Sequence, residues 1–165
     1  MNLPEHPSKV PAAFAGGRPQ ANAFRVLIVD DQAQNRLILS QILARVGYEV
    51  ETANNGAEAL NRVVCQPRPD LILTDVEMPV MDGIESVRLI RKMPEAIARI
   101  PVLAASGSPD PILKRDMLLA GADAYLAKPV NVPELLETVG RMIRESIGRK
   151  SPESRISSVN QASCC

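Results

Sequence analysis

Apolar and polar positions along this chain alternate between two periods. Short runs rich in β-branched and aliphatic residues stand at "RVLIV" (25–29), "YEVETA" (48–53), "DLILT" (70–74), "IPVLAA" (100–105) and "AYLA" (124–127), and runs of this length and composition read as strands. Between them apolar residues recur three or four apart, in "NRLILSQILARVG" (35–47), "GAEALNRVV" (56–64), "GIESVRLIRKM" (83–93), "DPILKRDMLLAGA" (110–122) and "VPELLETVGRMIRESI" (132–147), the spacing of a helix with one buried face. Five strands alternating with five helices predict an α/β fold with a parallel sheet, right-handed crossovers and helices on both faces.

Punctuation supports these bounds. Gly47 and Gly121 stand where helices should stop, and Asp110 and Asn131 stand as N-caps with Pro111 and Pro133 in the first turn. Residues 1–23 hold Pro4, Pro7, Pro11 and Pro19 with Gly16 and Gly17 and read as a flexible arm. Apolar periodicity ends at Ile147, so 24–147 is expected to be the folded domain and 148–165 a polar tail.

Length and charge narrow the classes. A chain of 165 residues suits one domain, and at about 150 residues folding buries roughly 70% of the unfolded surface. Nineteen basic and 19 acidic residues cancel, so no basic stripe points to direct nucleic-acid contact. Three cysteines, Cys65, Cys164 and Cys165, form neither a disulfide framework nor a spaced metal site and fit a reducing cytoplasm. The terminal Cys164-Cys165 pair is similar to one class of prenylation signal, but nothing else in the sequence supports a lipid anchor. No apolar stretch approaches the roughly 18 residues of a membrane helix, so a soluble cytoplasmic protein without a membrane partner is expected.

The strand ends carry the candidate chemistry, because ligands of open parallel sheets bind outside the carboxyl ends of the strands. Asp30 and Asp31 follow the first run, Asp75 the third, Ser106 the fourth and Lys128 the fifth. Two adjacent carboxylates repel and call for a cation or a proton. Three carboxylates suit a hard cation such as Mg²⁺, which takes oxygen ligands. An aspartate beside it can act as a nucleophile toward a phosphoryl group, and the resulting dianion needs Lys128 and the Ser106 hydroxyl as counterparts. Each residue also has a plainer reading. Asp30 or Asp31 can cap a helix, Asp75 can sit in a turn, Lys128 and Ser106 can be surface groups, Gly83 can serve a positive φ or a close approach, and Tyr125 can be an ordinary strand tyrosine.

Together "LIVDDQAQNR", "LILTDVEMPVMDGIE", "PVLAASGS" and "AYLAKPV" resemble the receiver domain of two-component response regulators across about residues 24–147. The resemblance implies a flavodoxin-like (βα)5 doubly wound sheet of strand order 2-1-3-4-5. It makes Asp75 the phosphoacceptor, modified to an aspartyl phosphate, and Asp30, Asp31 and Asp75 with the main-chain carbonyl of Glu77 the Mg²⁺ ligands. Lys128 would pair with the phosphoryl oxygens, followed by a cis bond to Pro129. Ser106 and Tyr125 would form the switch.

The implied partners are a histidine kinase or histidine phosphotransfer protein as donor and a downstream protein target. A homodimer through the fourth predicted helix, the fifth strand and the fifth predicted helix is also implied. His6, the single histidine, lies in the proline-rich arm, so the donor is expected to be another molecule or a small acyl phosphate. The expected role is that of a switch and not of an enzyme turning over a separate substrate. No DNA-binding, cyclase or kinase motif follows residue 150, so output would pass through a partner, unless the sequence is part of a longer one. Two other classes remain: a phosphohydrolase of the haloacid dehalogenase type, against which the third-strand position of Asp75 argues, and an interaction module working without phosphate.

Overall fold

A computed structural model of the chain describes residues 23–149. The expected arm up to residue 22, including His6, and the tail from residue 150, including Cys164-Cys165, lie outside the described residues.

The strands are β1 (Arg25–Val29), β2 (Glu49–Ala53), β3 (Leu71–Asp75), β4 (Val102–Ser106) and β5 (Ala124–Ala127). The helices are α1 (Ala33–Arg45), α2 (Gly56–Val64), α3 (Gly83–Arg91), α4 (Glu95–Ala98), α5 (Pro111–Ala120) and α6 (Val132–Arg149). All pairings are parallel and the order is β2-β1-β3-β4-β5, the flavodoxin-like arrangement expected. The short α4 has no counterpart in the predicted elements, and α6 runs two residues past 147.

Period-two alternation within the strands divides the core. Leu27, Val29, Ile72, Val102 and Ala104 point to one face, where Ala59 and Val63 of α2, Val87 and Ile90 of α3 and Met117 of α5 cover them. Val26, Ile28, Leu71, Leu73, Leu103 and Ala105 point to the other, under Leu39 and Leu43 of α1 and Leu135, Val139, Met142 and Ile143 of α6. Burial on both faces explains why the inner strands β1, β3 and β4 read as near-continuous apolar runs, while β2 at the edge keeps Glu49, Glu51 and Thr52.

The expected caps hold. Asp110 accepts from the Ile112 N–H at 2.8 Å and Asn131 from the Glu134 N–H at 3.1 Å. Gly121 ends α5 at φ 113° and Gly47 follows α1 at φ 95°. Gly83 serves close approach and not positive φ: a Cβ there would lie 2.2 Å from the Asp75 carbonyl oxygen.

Candidate functional site

Sheet register brings the strand-end residues together. Val29 pairs with Thr74, so Asp30 and Asp75 are the next residues on neighbouring strands. Asp75 pairs with Ala105, and Ser106 with Ala127, which steps Ser106 and then Lys128 across the same rim. Connections leave β1 and β3 in opposite directions at this point of the sheet, where a crevice opens in doubly wound folds.

The three carboxylates form one cluster, with a ligand oxygen from each of Asp30, Asp31 and Asp75 within 4.8 Å of the others. Asp30 and Asp75 are 2% and 8% exposed, while Asp31 faces solvent. Lys128 Nζ donates to Asp75 Oδ2 at 2.6 Å and to Asp30 Oδ2 at 2.8 Å, and its peptide bond to Pro129 is cis, as expected. The other Asp75 oxygen accepts from the Val76 N–H at 2.7 Å, so the plane of this carboxylate is fixed by one donor on each oxygen.

One ammonium shared by two buried acids sets the electrostatics. Burial raises the Asp75 carboxyl above the usual carboxylate range and Asp30 adds to the rise, against the opposing pull of Lys128. Burial alone would lower Lys128, but its hydrogen bonds and charge pairs with Asp30 and Asp75 outweigh that and leave it raised. The two directions agree: the ammonium is doubly paired, whereas Asp75 has only half of a counterion.

Asp30 is not the N-cap of α1. That position belongs to Gln32, which makes no side-chain cap bond. Instead Asp30 Oδ1 accepts from the Gln32 N–H at 2.9 Å, and Asn35 Nδ2 reaches Oδ1 and Oδ2 at 3.3 and 3.2 Å. With Lys128 these donors occupy the roughly four acceptor directions of a carboxylate. Asp31 accepts no side-chain hydrogen bond among the described residues, so its oxygens are open. Open hard oxygens beside a charge-rich, half-neutralised cluster fit a divalent cation of the Mg²⁺ kind.

Ser106 is buried at the end of β4 and its Oγ accepts from the Ser108 N–H at 3.0 Å, leaving the hydroxyl hydrogen to be donated elsewhere. Glu77 is exposed two residues past Asp75; its carboxylate is outside the cluster, and the part expected of it belongs to its main-chain carbonyl. Tyr125 is half-buried on β5 with Lys114 Nζ 5.4 Å from its ring centroid. Its hydroxyl is already buried and has no hydrogen-bond partner among the described residues, so an inward-rotating switch would start from the inward position.

Asn35 and Arg36 are the site residues that sequence reading missed. Arg36 Nη1 donates to the carbonyl oxygens of Asp30 at 2.7 Å and Asp31 at 3.1 Å. The available signal was their place in the helical turn directly after the acid pair, where a polar side chain points back toward the preceding loop.

A family model for the response regulator receiver domain matches residues 26–140. The gliding motility regulatory protein of Myxococcus xanthus is 42% identical over 125 residues, covering 75% of this chain and 16% of that protein. Sporulation initiation phosphotransferase F of Bacillus subtilis is 36% identical over 119 residues, 72% of this chain and 93% of that protein. The chain therefore spans a small part of one relative and nearly all of another. Among solved structures, the chemotaxis response regulator CheY4 of Vibrio cholerae superposes with a TM-score of 0.67 at 39% identity, covering 73% of this chain and 99% of that one. Among the described residues no helix is long and apolar enough to cross a membrane.

Proposed function

The chain belongs to the response regulator receiver family, a component of phosphorelays, and we propose that within it Asp75 is the residue that takes the phosphoryl group. The observation that carries this reading is the fixed Asp75 carboxylate beside two further acids, with Lys128 Nζ 2.6 Å away. A carboxylate oxygen of Asp75 attacks phosphorus, an O–P bond forms, and the P–N bond to a donor histidine breaks with its electron pair leaving on the imidazole. The donor is a histidine kinase or histidine phosphotransfer protein.

Lys128 already bridges Asp30 and Asp75, so its ammonium can follow the charge onto a phosphoryl oxygen without moving far. The free hydrogen of the Ser106 hydroxyl supplies a second donor. Asp31, with open oxygens, and Asp75, assisted by Asp30 and the Glu77 carbonyl, would hold Mg²⁺. That cation would neutralise phosphoryl oxygen charge when bound. The event is a switch and not turnover of a separate substrate. Its output is read by a downstream protein or a second copy on the surface of α5, β5 and α6, where Ile112 and Leu119 are 55% and 76% exposed.

Acetyl phosphate with Mg²⁺ tests the assignment. Intact-mass spectrometry should show one added phosphoryl group on the parent and none on Asp75→Asn, because the amide lacks the attacking anionic oxygen. Equal labelling of the Asn variant would move the site elsewhere.

A further inference from the structure

The acid pair sits on a turn with no helix-capping side chain of its own, yet its carbonyls and one carboxylate are gripped from α1. Arg36 uses one guanidinium nitrogen to hold both main-chain carbonyls, at 2.7 and 3.1 Å. Asn35 meets both oxygens of the Asp30 carboxylate. Neither residue touches Asp75 or Lys128 in this way, and both are half-buried at the rim. Two like charges on consecutive residues turn apart unless the main chain is restrained. A cation bound by them loses affinity when the ligands must first be brought together.

We propose that Arg36 and Asn35 are positioning residues that preorganise the acid pair for its divalent cation. Arg36 fixes the peptide planes from which Asp30 and Asp31 project, and because it bonds their main-chain carbonyls it consumes no carboxylate oxygen. Asn35 completes the acceptor shell of Asp30 and leaves Asp31 as the open member. Such outer contacts orient the groups that bind the metal, and their loss typically costs ten- to hundredfold in affinity. This inference deepens the phosphoacceptor reading and rests on it only for the phosphorylation readout.

Mg²⁺ titration of the metal-free protein, followed by the amide NMR shifts of residues 30–32, is the primary measurement. Arg36→Ala should weaken Mg²⁺ binding about tenfold and speed amide exchange at Asp31 and Gln32 before any metal is added. Asn35→Ala should weaken binding less, and Arg36→Lys should fall between parent and Arg36→Ala, since an ammonium keeps N–H donors for the two carbonyls but is more strongly hydrated and lacks the fixed planar geometry of the guanidinium. Labelling of Arg36→Ala by acetyl phosphate should recover at saturating Mg²⁺. If Arg36→Ala does not fold, Arg36→Lys and Asn35→Ala carry the test. Parent-like Mg²⁺ affinity in the folded variants, with only the melting temperature lowered, would overturn the proposal and leave Arg36 as a brace for the helix start. Asp75→Asn run in parallel keeps the two readings apart: persistent labelling there defeats the phosphoacceptor assignment, while the Mg²⁺ affinities of the Arg36 variants still decide this one.

Discussion

Burial makes Asp75 expensive to keep ionised. Its carboxyl is raised chiefly by desolvation, so the folded state holds a proton there more readily than the unfolded state does. A raised folded-state value means that the stability linked to Asp75 is fully present below the unfolded carboxylate range and is lost as pH rises through the folded one. In metal-free buffer at neutral pH, Asp75→Asn should therefore melt higher than the parent, by about 1 kcal/mol, with the gap closing as pH falls below the carboxylate range. Thermal melts with a chelator, across pH, check this; a variant melting lower than the parent at neutral pH would show that the Lys128 pair outweighs desolvation. Tyr125 allows a second test. A buried hydroxyl without a partner, as that of Tyr125 is among the described residues, costs about 1–3 kcal/mol, while the ring packs beside the core and under Lys114. Tyr125→Phe should keep the packing, shed the orphan group and raise the melting temperature. A clear loss of stability would mean that the hydroxyl has a partner after all.

Elements were legible where their signal lies in sequence spacing and illegible where it lies in tertiary contact. Strands β1 to β5 follow the sequence runs to within two residues, because the inner strands of a sheet covered on both faces are apolar on both sides, while β2 at the edge keeps the alternation of Glu49, Val50 and Glu51. The apolar period predicts a start of α1 at 35, whereas the helix begins at Ala33, where Gln32 makes no side-chain cap bond and Asp30 from the strand end accepts the Gln32 N–H instead. The four residues of α4 are too few to display a 3.6-residue period. The acids, Ser106 and Lys128 were found by their position at strand ends. Asn35 and Arg36 do not stand at a strand end: Asn35 reaches the Asp30 carboxylate and Arg36 the main-chain carbonyls of the acid pair only through the fold of the turn before α1, which apolar spacing does not record. Gly83 shows how an element end and the site depend on each other. An added Cβ would meet the Asp75 carbonyl oxygen at 2.2 Å and Val76 Cα at 3.0 Å, both main-chain atoms that cannot rotate away. Gly83→Ala should cost about 1–3 kcal/mol, the usual size of an overpacked site, and slow acetyl phosphate labelling by displacing Asp75. Unchanged melting and labelling would show that the loop between β3 and α3 yields freely.

At the scale of the whole molecule, a dianion on Asp75 must be felt on a distant surface for the domain to signal, and the described contacts offer one continuous route. Ser106 Oγ is held by the Ser108 N–H, so a hydroxyl drawn to a phosphoryl oxygen takes the loop between β4 and α5 with it. Asp110, which caps α5, lies two residues beyond Ser108. From α5, Lys114 stands over the Tyr125 ring and Leu113 packs into the same cluster. Shifting α5 therefore alters the surroundings of Tyr125, whose buried hydroxyl stands to gain a partner. An effector biases such an equilibrium only through contacts that differ between the two states, and here these are the Ser106 hydrogen bond and the transfer of Lys128 onto phosphate. Ser106→Ala should still accept phosphate from acetyl phosphate, more slowly, while the change across residues 106–130 shrinks. Amide NMR shifts with beryllofluoride as the phosphoryl mimic measure both halves: the parent should shift along α5 and β5, and Ser106→Ala should shift near Asp75 alone. Parent shifts confined to the rim while the site is demonstrably filled would defeat the route through α5 and leave the domain as a plain phosphate relay.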